Sequence, residues 1–143
     1  MTEAERLLRA MFGGVHERQG AFAVDGDEAD PMRYYHENAV YSLFGPSGTK
    51  ETLKGKHAIA QFIRTCGEAL AAHEDEILAI TPVDQHCAFV HARAFRKSAV
   101  SGEEIRYEWA MLFRVEQGLI TYGADMLDPD AQAFWGRVME KRQ

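Results

Sequence analysis

Two periods divide the chain. Up to about residue 70 the apolar side chains recur every three or four positions, and from Asp75 onward they alternate. Thr2 is placed to cap a first helix, with Glu3 and Glu5 at its positive end and Leu7, Leu8, Met11, Phe12 and Val15 on its apolar stripe. Gly13-Gly14 marks close packing or the helix end. The turn-like VDGDEAD stretch leads to a short helix from Pro31 to Tyr35, where proline is tolerated in the first turn. Ala39 to Phe44 reads as a strand closed by Gly45-Pro46-Ser47-Gly48. A third helix follows Gly55, with Ile59, Phe62, Ile63, Cys66 and Leu70 on one stripe.

The alternating half reads as four strands, Ile77 to Val83, Cys87 to Lys97, Ile105 to Val115 and Leu119 to Leu127, joined by short turns into an antiparallel meander. Pro129 then opens a C-terminal helix carrying Phe134, Trp135 and Val138. Helices followed by strands predict an α+β fold, with helices on one side of a long curved sheet and a cone with a mouth between them.

The last two strands sort their side chains if Gln117-Gly118 is a two-residue turn. Phe113 then faces Tyr122, Met111 faces Ala124 and Trp109 faces Met126, while Leu112 pairs with Gly123 and Ala110 with Asp125. A one-residue slip would undo this sorting. The first face is large and apolar; the second mixes small and apolar residues with Glu108 and Asp125. The preceding strand divides into Ala88, Val90, Ala92 and Ala94 against Phe89, His91, Arg93 and Phe95. Matching the apolar faces gathers His91, Arg93, Glu108 and Asp125 on the mixed face. There they are either a polar cluster in a cavity wall, with Arg93 as the bidentate partner of a carboxylate, or a surface ion-pair group. The opposite face, with Tyr107, Trp109, Met111, Phe113, Tyr122 and Met126, then needs a cover and predicts a homodimer through that sheet face.

Composition narrows the classes. A chain of 143 residues with 46% hydrophobic and 27% charged residues is expected to form one domain, residues 1–143, with an ordinary core. Sixteen Lys and Arg against 22 Asp and Glu give a net charge of −6 with no basic patch, which argues against nucleic acid and anionic membrane as partners. Two cysteines are too few for a disulfide framework, the N-terminus lacks a signal-peptide core, and no apolar run reaches membrane-spanning length. A cytoplasmic location is the expectation. The six histidines, His16, His36, His57, His73, His86 and His91, form no HxH or HExxH spacing, so no metal is expected; His91 alone is kept as an acid or base. Neither a GxxxxGK loop nor a GxSxG elbow is present, and no cofactor is expected.

The order of elements, with YYHENAVYSLFG, LKGKHAIAQFI and FRVEQGLITYGADMLDP, resembles the nuclear transport factor 2-like superfamily, in particular its SnoaL-like polyketide cyclases, ketosteroid isomerases and limonene-epoxide hydrolases. The resemblance implies a conical α+β barrel around a mostly apolar cavity, often dimeric. The isomerase residues are not matched: their base position falls at Leu43, their oxyanion-hole Asp at Ala110 and their catalytic Tyr near Gln19, although Tyr35 matches a supporting tyrosine. Of the epoxide-hydrolase set, Tyr41, Arg93 and Asp125 are matched, while its acid falls at Phe95 and its Asn at Leu43. The acid-base Asp of the SnoaL-like cyclases is matched by Asp125.

The combined expectation is a pocket lined by Tyr35, Tyr41, Leu43, Phe62, Phe89, Phe95, Glu108, Ala110 and Leu112. Asp125, Arg93, Tyr41 and His91 carry the chemistry: Asp125 is the general base, and Tyr41 or His91 donates to the oxyanion. The substrate class is a small hydrophobic carbonyl compound undergoing isomerisation, cyclisation or hydration. The alternative is a non-catalytic ligand-binding or dimerisation module on the same scaffold.

Overall fold

The computed structural model describes residues 1–19, 22, 31–43 and 51–142. The VDGDEAD turn and the Gly45–Gly48 closure lie outside the described residues. The first helix, α1 (Glu3–Phe12), begins where Thr2 Oγ1 accepts from the Glu5 N–H at 3.1 Å. It ends at Gly13, whose φ of 80° lets its N–H turn back to the Arg9 carbonyl. Ala4, Leu8, Met11 and Phe12 form its buried face, and Val15 packs on the core from beyond the helix end.

A two-residue strand, β1 (Arg18–Gln19), follows, and then a 3-10 turn over Pro31–Tyr34. Strand β2 (Tyr35–Ser42) starts four residues before the alternation suggests, and the short β3 (Thr52–Lys54) folds back on it. Gly55, with φ of 97°, opens α2 (Lys56–Glu68) and ties it to β2 through a hydrogen bond to the Ala39 carbonyl. The meander is β4 (Leu70–Asp84), β5 (Cys87–Ser98), β6 (Glu104–Glu116) and β7 (Leu119–Met126). Helix α3 (Pro129–Arg142) starts with proline in its first turn, and Asp128 caps it by accepting from the Ala131 N–H at 2.8 Å. None of the described helices is long and apolar enough to cross a membrane.

The strands form one curved, open sheet in the order β1-β4-β5-β6-β7-β2-β3, antiparallel throughout except where β2 runs parallel to β7. The helices lie on its concave side, giving the α+β cone. The β5–β6 ladder is regular and sets Arg93 opposite Glu108 and His91 opposite Ala110.

The β6–β7 hairpin departs from a uniform register. Gln117 and Gly118 have φ of 53° and 78°, the conformation of a primed two-residue turn, and Glu116↔Leu119 and Val115↔Ile120 pair as expected. Thr121 is then an extra residue: the next pair is Arg114↔Tyr122, followed by Phe113↔Gly123 and Met111↔Asp125. This β-bulge reverses the side of the sheet on which every later residue of β7 projects. Gly123 and Asp125 therefore share a face with Phe113 and Met111, and Tyr122, Ala124 and Met126 take the other.

Candidate functional site

The concave face carries the small residues Ala88, Val90, Ala92 and Ala94 of β5 beside the large Tyr107, Trp109, Met111 and Phe113 of β6, all buried. Phe12 of α1 lies over Trp109 and Phe113, with ring centroids 6.2 and 5.9 Å apart. The aromatic face is thus covered by the chain's own helices and encloses a cavity of about 360 Å³. A dimer through Tyr107, Trp109, Met111 and Phe113 is corrected by this placement, since those side chains line the cavity. Tyr122 and Met126, grouped with them under the uniform register, are separated from them by the bulge at Thr121.

Tyr35, Tyr41, Leu43, Phe62 and Asp125 line the cavity. Arg93, His91, Glu108, Phe89, Phe95, Ala110 and Leu112 do not; they occupy the convex face. Arg93 has 60% of its side chain exposed and pairs with Glu76 at 3.5 Å, and His91 lies 2.6 Å from Glu108. The physical reason is simple. A row of three charged side chains on adjacent strands is cheapest in water, whereas the wall under the helices must be nearly all apolar. The mixed face is the solvent face, and Asp125 is parted from Arg93 and His91 by the sheet itself.

Two hydrogen-bonded polar groups stand on the mostly apolar wall, which Glu51 and Gln132 also line. At the first, Tyr41 Oη donates to Asp125 Oδ2 at 3.2 Å and lies 3.8 Å from Met111 Sδ. Burial, reinforced by the Asp125 carboxylate, pushes the Tyr41 phenol well above its usual pKa, so it remains a proton donor. Burial likewise raises Tyr35. Cys66 is buried on the same wall.

The second group was not visible in the motifs. Asp75 and Arg96, 1% and 3% exposed, form a bidentate pair at 2.8 and 3.1 Å. Asp75 Oδ1 also accepts from Trp109 Nε1 at 2.8 Å, and Arg96 NH1 donates to the Phe95 carbonyl at 3.0 Å. The guanidinium sits between the Phe22 and Tyr107 rings, 4.9 and 5.7 Å from their centroids. Burial opposes its charge, but Asp75 prevails and holds its pKa above the ordinary value. Trp135 Nε1 of α3 donates to Tyr107 Oη at 3.0 Å. A signal existed: Arg96 continues the inward series Ala88, Val90, Ala92, Ala94, and a charge in phase with a buried face needs a buried partner.

Chemically, the cavity offers the Asp125 carboxylate with a fixed phenol donor and a second polar cluster whose ionic charges cancel, and Glu51 and Gln132 line it as well. Among the described residues no three His, Cys, Asp or Glu side chains gather as a metal site.

Comparison with known proteins places these features. Residues 8–123 match the SnoaL-like domain family model. No curated protein matches the chain. Among solved structures, one named for a SnoaL-like polyketide cyclase from Jannaschia sp. CCS1 superposes with a TM-score of 0.73 at 16% identity, over 92% of this chain and 89% of that one. TerC, crystallised with polyporic acid, gives 0.68 at 13% identity over 96% and 99%. A structure named for an isomerase from Bacillus subtilis gives 0.63 at 20% identity, over 94% of each chain. At these identities the structures share the fold, and the family match carries the assignment. The chain belongs to the SnoaL-like domain family.

Proposed function

We propose that this protein is a small-molecule enzyme in which Asp125 moves a proton on a hydrophobic carbonyl compound held in the cavity. The observation that carries the reading is the Tyr41–Asp125 pair: a carboxylate fixed by a buried phenol on a mostly apolar wall. Such a carboxylate is held in a defined orientation, which suits a general base acting on an acidic C–H or an activated water. Tyr41, held protonated, either orients Asp125 or donates to the developing oxyanion. The cavity volume, about 360 Å³, lies within the range of small-ligand pockets. Neighbours named for a polyketide cyclase and an isomerase agree with acid-base chemistry on a cyclic or polyketide-like compound.

The test needs no knowledge of the natural substrate. In D₂O, exchange of the α-protons of 2-tetralone is followed by proton NMR. The wild-type protein accelerates exchange, and Asp125→Asn lowers the acceleration about 100-fold or more. Equal acceleration by both proteins refutes Asp125 as the base. Tight binding without exchange is the outcome expected of a ligand-binding module on the same scaffold, a reading supported by the position of Arg93 outside the cavity.

We propose, too, that two copies pair through the convex face, where Phe89, 37% exposed, lies in register with the half-buried Leu112. A monomer at micromolar concentration in sedimentation experiments refutes this pairing.

A further inference from the structure

The wall at the α3 end of the cavity holds a hydroxyl with an unusual set of neighbours. Tyr107 Oη accepts from Trp135 Nε1 at 3.0 Å, and the Arg96 guanidinium lies beside the same ring, 5.7 Å from its centroid. A phenol offers one proton and two acceptor lone pairs. The indole N–H beside this oxygen is a donor, so the phenol's own proton is turned away from it. Asp75 is committed to Arg96 and Trp109. Among the described residues no acceptor is hydrogen-bonded to the Tyr107 O–H, and Tyr107 lines the cavity.

We infer that this end of the cavity is a donor subsite for a neutral oxygen acceptor of the ligand, a carbonyl received by the Tyr107 O–H. The inference rests on the reading of the cavity as a ligand site. The ionic charges of Arg96 and Asp75 cancel, so the subsite has no net charge to attract a carboxylate. It offers instead a hydroxyl polarised by the indole donor behind it.

Its distance from Asp125 adds a constraint on shape. Met111 is the cross-strand partner of Asp125, and Tyr107 lies four residues away on β6. At about 3.3 Å per residue the two anchoring positions are roughly 13 Å apart along the strand. A ligand that engages both is elongated, two or three rings in extent, with an oxygen remote from the atom that Asp125 deprotonates. Tyr107 is therefore a positioning residue for that remote oxygen, separate from the partner of the reacting one.

The experiment uses an isosteric pair of probes, 2-acetylnaphthalene and 2-isopropylnaphthalene, titrated into the full chain by calorimetry. The ketone binds about fivefold tighter, the value of one neutral hydrogen bond, and Tyr107→Phe binds the two alike. In isotope-edited infrared difference spectra the carbonyl stretch of the bound ketone falls below its frequency in cyclohexane. The shift shrinks in Trp135→Phe and disappears in Tyr107→Phe. An unshifted carbonyl in the wild-type protein, or no preference between the probes, or no binding of either, overturns the inference without recourse to any variant. Asp125→Asn keeps the preference and the shift, so failure of the base and failure of this subsite are read separately.

Discussion

Removing one partner of the Asp75–Arg96 pair leaves its counterpart as a lone charge in the core, and the cost follows from the contacts. Asp75→Leu deletes two charge-assisted bonds from Arg96 and one from Trp109 Nε1, at a site where both partners are at most 3% exposed. Breaking a buried pair on one side costs about 3–5 kcal/mol. For a domain of this size each kcal/mol lowers Tm by about 2–4 °C, so the single variant melts roughly 10 °C below the wild type. Arg96→Met, which strands the carboxylate instead, falls in the same range. The double variant Asp75→Leu/Arg96→Met has no orphan charge. Its remaining loss is the Trp109 N–H without an acceptor, about 1–3 kcal/mol. The double variant is therefore more stable than either single one, a reversal that additive contributions cannot produce. Urea unfolding followed by far-ultraviolet circular dichroism measures all four proteins. Additive losses, or single variants within about 1 kcal/mol of wild type, would refute the account of a buried, mutually dependent pair.

Three further outcomes follow from particular residues. Deleting Thr121 removes the bulge and returns β7 to a uniform register; Asp125 then points to the convex face, and α-proton exchange falls to the level of Asp125→Asn, with retained exchange counting against the bulge as the aiming device. His73 has its pKa lowered, first by burial and then by Arg96. Its unfolded form takes up a proton near pH ~6.5 while the folded form resists, so stability falls as pH drops through that value and below, toward the depressed folded pKa. The slope of Tm against pH in this window becomes shallower in His73→Gln, and an unchanged slope removes His73 as its source. Gln117 occupies a left-handed conformation at φ 53°, which Asn tolerates better, and Gln117→Asn raises stability by about 0.5–1 kcal/mol in the same urea assay; a loss would contradict the turn assignment.

The sequence revealed helices more readily than faces. Thr2, Gly55 and Pro129 mark helix starts because capping and proline tolerance are local, and the turn at Gln117-Gly118 is local too. Strands β1 and β3, two and three residues long, are too short to show a period. The first half of β4 was hidden because Asp75 stands where the alternation requires an inward residue and so disguises it. The bulge at Thr121 leaves no mark of its own in composition, yet it moves Asp125 from the company of Ala110 to that of Met111. Asp125 in an apolar setting was legible, and its partner Tyr41 came from the resemblance and not from the pattern of faces, which pointed to Arg93. Arg93 satisfied the rule that a buried carboxylate needs a cation, but the rule applied to a different pair, and Arg96, three residues on, is the guanidinium that the core encloses.

The chain has only two tryptophans, and both stand on the cavity wall. Trp109 is anchored on Asp75, and Trp135 on the phenol that faces it. The whole indole emission of the protein accordingly originates beside the cavity. A compound that enters will change colour or brightness in an unlabelled sample, which makes the molecule its own gauge for screening collections of candidate ligands.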